Sequence, residues 1–78
     1  MIGQFAKSLA GHDKGKIYVV TGETDREVLL SDGVRRPLAK AKSKNRKHVQ
    51  IFGEVSAVDT DEEIKRTIRD YLRRITDV

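Results

Sequence analysis

The chain has 78 residues with 16 Lys/Arg against 12 Asp/Glu, a net charge of +4, and no cysteine. That length is one small domain, and without disulfides or a thiolate metal cage its core must come from apolar side chains alone. No apolar run approaches the roughly 20 residues that span a bilayer, and the start lacks the basic-then-apolar plan of a secretory leader, so no membrane partner is expected and the cytoplasm is the expected compartment.

In chain order, Ile2–Lys7 is apolar-rich, bounded by glycine, and expected to form a first strand. Gly11 and Gly15 bracket a polar stretch, Ser8–Lys16, that signals a turn with unusual backbone angles. Ile17–Thr21 is entirely β-branched or aromatic and is the clearest strand. Within it, an inward Val19 would point Tyr18 outward. Gly22–Arg26 reads as a polar turn and Glu27–Ser31 as a third strand. Asp32-Gly33 is a hairpin signal, because glycine accepts positive φ there. Pro37-Leu38-Ala39 is expected to begin a fourth strand, with proline at its first position or on an edge, and Val49–Phe52 to form a fifth.

From Thr60 the period changes. Ile64, Ile68, Tyr71, Leu72 and Ile75 fall on one face of an α-helix. Thr60 and Glu63 have capping-box spacing, so the Thr60 hydroxyl and the Glu63 carboxylate should satisfy each other's backbone amides. Acids cluster at the helix start, and Arg73 and Arg74 lie near its end, both in accord with the helix dipole. Glu62 with Arg66 and Asp70 with Arg74 have i,i+4 spacing. The apolar stripe needs cover, and packing on the barrel is favoured over a partner or dimer interface. The expected fold is therefore mainly β. A small curled barrel of about five strands (residues 1–53) is followed by a linker, Gly53–Asp59, and a C-terminal amphipathic helix from Thr60, linker and helix together making up 54–78, one domain overall.

Charge is unevenly distributed. Residues 1–53 hold eleven Lys/Arg and five Asp/Glu, a balance of +6, and residues 54–78 hold five and seven, a balance of −2. Between Val34 and Gly53 stand Arg35, Arg36, Lys40, Lys42, Lys44, Arg46 and Lys47 with no acid among them. Such a run either solubilises a loop or contacts phosphates with release of counterions, and the missing acids favour phosphate. Residues 40–48 are expected to be mobile without a partner. The loop from Gly11 to Lys16 lets backbone amides approach a phosphate beside Lys14 and Lys16, though it lacks the Gly-Lys-Ser/Thr ending of a P-loop. Lys7 extends the same basic set. His12 and His48 lie in separate polar segments without further ligands at metal spacing, so no metal or cofactor is expected. No nucleophile, base and orienting group stand together, which argues against an enzyme. Phe5 and Phe52 read as core. Phe5, Tyr18, Phe52 and Tyr71 are the only aromatics, too few for stacking an extended single strand. That poverty favours folded RNA, recognised by phosphates and shape.

Two segments carry a family resemblance. The first is Gly3-Gln4-Phe5-Ala6-Lys7, Gly11-His12-Asp13-Lys14-Gly15-Lys16 and Tyr18-Val19-Val20, where Gly15 matches the glycine that closes the family's loop. The second is Val28-Leu29-Leu30-Ser31-Asp32-Gly33, followed by Arg35 and Arg36. Together they resemble the KOW family, in its ribosomal L14e/L27e-like branch, over about residues 2–52. The resemblance implies an SH3-like barrel and binding to structured, often ribosomal, RNA, with possible association with the ribosome; a monomer suffices. With the charge pattern, the expected RNA contacts are Lys7, Lys14, Lys16, Arg35, Arg36, Lys40, Lys42, Lys44, Arg46 and Lys47, and Gly11, Gly15 and Gly33 are expected to shape the loops. The resemblance says nothing about the helix. A rival reading is a protein-interaction module that docks an acidic partner through the barrel or the helix.

Overall fold

The computed structural model describes residues 2–53 and 59–76. Five antiparallel strands, β1 (Phe5–Ser8), β2 (Ile17–Glu23), β3 (Glu27–Ser31), β4 (Lys42–Asn45) and β5 (Val49–Phe52), form one sheet in the order β4-β3-β2-β1-β5. A single helix, α1 (Asp61–Thr76), follows. The linker expected at 53–59 falls mostly on residues 54–58, which lie outside the described residues.

The sheet must curl, and topology shows why. β4 and β5 occupy opposite edges, yet only the 3-10 turn Arg46–His48 separates them in sequence. A flat five-stranded sheet is about 19 Å across at roughly 4.8 Å per strand step. Three residues of 3-10 turn advance about 6 Å. The two edges are therefore drawn together into an incompletely closed barrel.

Curling gives the sheet two covered faces. Ala6, Tyr18, Val20, Val28, Leu30 and Val49 fill the concave side. Phe5, Ile17 and Val19 point the other way, beneath Ile64 and Ile68 of α1, with Phe52 and Tyr71 packed against them. The Phe5 ring lies 5.5 Å from that of Phe52 and 4.8 Å from that of Tyr71. Tyr18 and Val19 are thus both buried. The expectation that an inward Val19 turns Tyr18 to solvent fails, because this strand has no solvent face. The helix covers only part of its stripe: Ile64 and Ile68 are buried, whereas Leu72 and Ile75 are exposed.

Several boundaries differ from the sequence reading. β1 starts at Phe5, since Gly3 has φ +84° and Ile2 is exposed. β2 runs through the predicted turn to Glu23, absorbing Gly22 at a register shift between Val20 and Gly22. Asp32-Gly33 makes no two-residue hairpin. The chain instead wraps around the Asp32 carboxylate, whose Oδ1 accepts from the amides of Val34 and Arg36, both at 2.9 Å. The strand expected from Pro37 is a 3-10 turn, Leu38–Lys40, and the fourth strand begins later, at Lys42.

Gly33 explains how this loop meets the helix. Its φ is +78°, and a Cβ there would run into the Asp61 carbonyl oxygen and lie 2.9 Å from the Lys65 amide nitrogen. The Asp61 carboxylate in turn accepts from the Leu38 amide at 2.7 Å. Thr60 caps α1 by accepting from the Glu63 amide at 3.2 Å. The expected reciprocal bond differs: the Glu63 carboxylate takes the Thr60 hydroxyl, not the Thr60 amide. Among the described residues, neither Glu62 with Arg66 nor Asp70 with Arg74 forms an ion pair.

Candidate nucleic-acid interface

The basic segment and the 11–16 loop lie apart in sequence, and one carboxylate joins them. Lys42 and Lys44 pair with Leu30 and Val28 across the β3–β4 ladder, so both side chains enter the concave side. At its mouth they meet Asp13, carried there by the β1–β2 loop. Lys44 Nζ lies 2.8 Å from Asp13 Oδ1, and Lys42 Nζ lies 3.0 Å from Oδ2. The Ser8 hydroxyl donates to Oδ1 at 2.8 Å and the Tyr18 hydroxyl to Oδ2 at 2.7 Å. Lys44 also donates to the Ala10 carbonyl at 2.7 Å, and the Leu9 amide donates to His48 O at 2.8 Å.

Electrostatics follow from this geometry. The Asp13 and Lys44 side chains are each only 11% exposed. Burial alone would push the Asp13 carboxyl up, but bonds from Lys44, Tyr18, Lys42 and Ser8 outweigh it and hold the group well below the ordinary carboxylate range. Burial and then the neighbouring Asp13 carboxylate raise the Tyr18 phenol, so it stays protonated and serves as a donor. Asp32 repeats the pattern. Burial opposes its ionisation, but Lys16 at 2.7 Å and the Arg36 and Val34 amides bring it down to about 2.

The ten cations expected to contact RNA therefore divide. Lys42 and Lys44 are held by Asp13, Lys16 by Asp32, and Arg46 by Glu23 at 3.3 Å. Lys7, Lys14, Arg35, Arg36, Lys40 and Lys47 are exposed and make no ion pair among the described residues. Lys14 and Lys47 flank the Asp13 junction in sequence on its two sides. Arg35 and Arg36 lie in the loop that Asp32 organises, which Lys16 ties to the β1–β2 loop. Lys7 stands apart, since on β1 it shares the helix-side face with Phe5. The segment expected to be mobile is instead built into the sheet: 42–45 is β4 and 46–48 a 3-10 turn, and Asn45 caps the turn by accepting from the Lys47 amide at 2.9 Å. Gly11 and Gly15 both have positive φ, as their turn requires. His12 and His48 are exposed.

Sequence reasoning missed Asp13 and Asp32 as organising residues, together with Ser8 and Tyr18. Local charge counting gives no sign of them, because Asp13 lies 29 and 31 residues before the lysines it grips. The chain matches no family model and no curated protein.

Proposed function

We propose that the protein is a non-enzymatic, cytoplasmic RNA-binding module that holds structured RNA, ribosomal RNA foremost, by its phosphates, as the resemblance to KOW domains implies. The supporting observation is the Asp13 junction. It fastens the 11–16 loop to β4, so two basic segments present a common surface instead of two independent loops. Asp13 and Asp32 face inward onto lysines, so neither carboxylate is turned toward the exposed cations. Lys14, Arg35, Arg36, Lys40 and Lys47 are the phosphate contacts in this reading, with Lys7 at the margin. Lys16, Lys42, Lys44 and Arg46 hold the surface in shape and contribute their fields.

The test is binding of a structured ribosomal RNA fragment as a function of salt, with the wild type beside a variant carrying Lys14→Ala, Lys40→Ala and Lys47→Ala. These exposed residues make no ion pair among the described residues, so the variant keeps its fold. Each lost phosphate contact flattens the log–log salt slope by about 0.7–0.9, so the expected change is about 2–3. Equal slopes for the two proteins would move the contacts elsewhere. Failure of both to bind at low salt would remove the RNA reading.

A further inference from the structure

A second surface lies along α1, apart from the Asp13 junction. A groove of about 390 Å³ runs between the helix and the loops around Gly15 and Val34. That volume is within the roughly 300–1,000 Å³ typical of ligand clefts. Its apolar wall is Ile17, Val34, Ile68 and Leu72. Val34 is 63% and Leu72 42% exposed, and Ile75, one turn past Leu72 on the same stripe, is 52% exposed. Interaction sites are marked by contiguous exposed apolar surface, and Val34 and Leu72 lie together on the wall of this groove.

The groove's charge says what it takes. Lys65 and Arg69 line it one helical turn apart, about 6 Å along the axis. Lys16 and Asp32 also line it and neutralise one another at 2.7 Å, so the net charge of the lining is +2. The lining has no aromatic ring on which a base would stack. Lys65 and Arg69 make no ion pair among the described residues and stand on long, exposed side chains beside an aliphatic wall. Carboxylates flanking an aliphatic anchor complement this arrangement, and a flipped nucleotide base does not.

We infer that this groove is a docking site for a short acidic peptide segment of a partner protein, with a leucine-like side chain seated between Val34, Ile68 and Leu72 and flanking carboxylates on Lys65 and Arg69. The groove adjoins the proposed RNA surface, because Gly15 and Val34 are next in sequence to Lys14 and Arg35 and Lys16 lines both.

The probe is a synthetic ten-residue peptide with two adjacent leucines flanked on both sides by aspartate and glutamate, titrated into isotope-labelled full-length protein and followed by amide chemical shifts. Shifts centred on Val34, Lys65, Ile68 and Leu72 are expected. The peptide with leucines changed to serine should bind at least tenfold more weakly. Leu72→Glu and Val34→Glu should each weaken binding tenfold or more, and Lys65→Glu with Arg69→Glu should abolish it. The substituted positions Val34, Lys65, Arg69 and Leu72 are exposed, and unchanged shifts in the sheet would show that the fold is kept. Three results would overturn the proposal. They are no groove shifts at millimolar peptide, equal binding of the serine control, and concentration-dependent broadening of Leu72 and Ile75 without peptide (a second copy as occupant). The same protein's RNA binding, measured separately, shows whether the RNA reading stands or falls on its own.

Discussion

Replacing Asp13 with asparagine preserves shape and removes the charge that two lysines share. Lys44 suffers most, since its side chain is 11% exposed and the Ala10 carbonyl would be its main remaining acceptor. Lys42, at 28% exposure, can turn toward water. Breaking a fully buried pair costs about 3–5 kcal/mol. Partial solvation of Lys42 and the hydrogen bonds asparagine can still make reduce this to about 2–3 kcal/mol. For 78 residues the whole stability is about 4–12 kcal/mol, so the variant loses a large fraction of it. The unfolding entropy, about 2.1 cal/mol/K per residue, converts the loss to about 12–18 °C in Tm. In urea the midpoint falls with the slope unchanged. Asp25→Asn, at the exposed β2–β3 turn, serves as the control and should stay within about 0.5 kcal/mol.

The dependence on pH makes this sharper. The folded-state pKa of Asp13 is depressed, so its contribution is fully present above the unfolded value of 3.8 and is lost as pH falls from there toward the lower folded value. Wild type and Asp13→Asn should differ most above about pH 5 and converge as pH falls below 4. A Tm difference under about 3 °C, or one that does not change between pH 7 and pH 3, would refute the picture of a buried carboxylate clamping the barrel mouth.

Other substitutions probe the remaining contacts. Gly33→Ala forces a side chain at φ +78° against the helix backbone and should cost about 2–4 kcal/mol, read by urea denaturation. Ile64→Ala removes a fully buried side chain and should cost about 2–5 kcal/mol, whereas Ile75→Ala, half exposed, should stay within about 0.5 kcal/mol. Similar losses for the two would mean that α1 does not pack through its first turns. Asp32→Asn frees Lys16 and unpins the 32–36 loop, and its destabilisation should fade as pH drops from about 4 through 2, because the folded pKa of Asp32 lies near 2. A loss that persists at pH 2 would point to the loop backbone instead of the charge.

What the sequence made legible followed from local pattern. Ile17–Thr21 and Glu27–Ser31 are strands because β-branched and apolar residues suit a covered sheet, and Thr60 starts a helix whose Ile64 and Ile68 face the core. Where local signals competed with tertiary ones, the local reading failed. Lys42-Ser43-Lys44-Asn45 has almost nothing to recommend it as a strand, yet it pairs with β3 and its two ammonium groups meet Asp13 on the concave side. The basic segment looked uncompensated because its acid is supplied from another part of the chain. That changes what the charges are for. A lysine held by Asp13 cannot neutralise a phosphate, and so release the RNA's counterions, without first leaving a carboxylate unpaired, which is unfavourable in a site this enclosed. The exposed lysines carry no such debt, so any phosphate binding should track Lys14, Lys40 and Lys47, while Lys42 and Lys44 should register in stability. Paired Lys→Met substitutions would separate the two: Lys44→Met should lower Tm and leave the salt slope nearly unchanged, and Lys47→Met should do the reverse. If Lys44→Met instead flattened the slope at constant Tm, the barrel mouth itself would be the phosphate site.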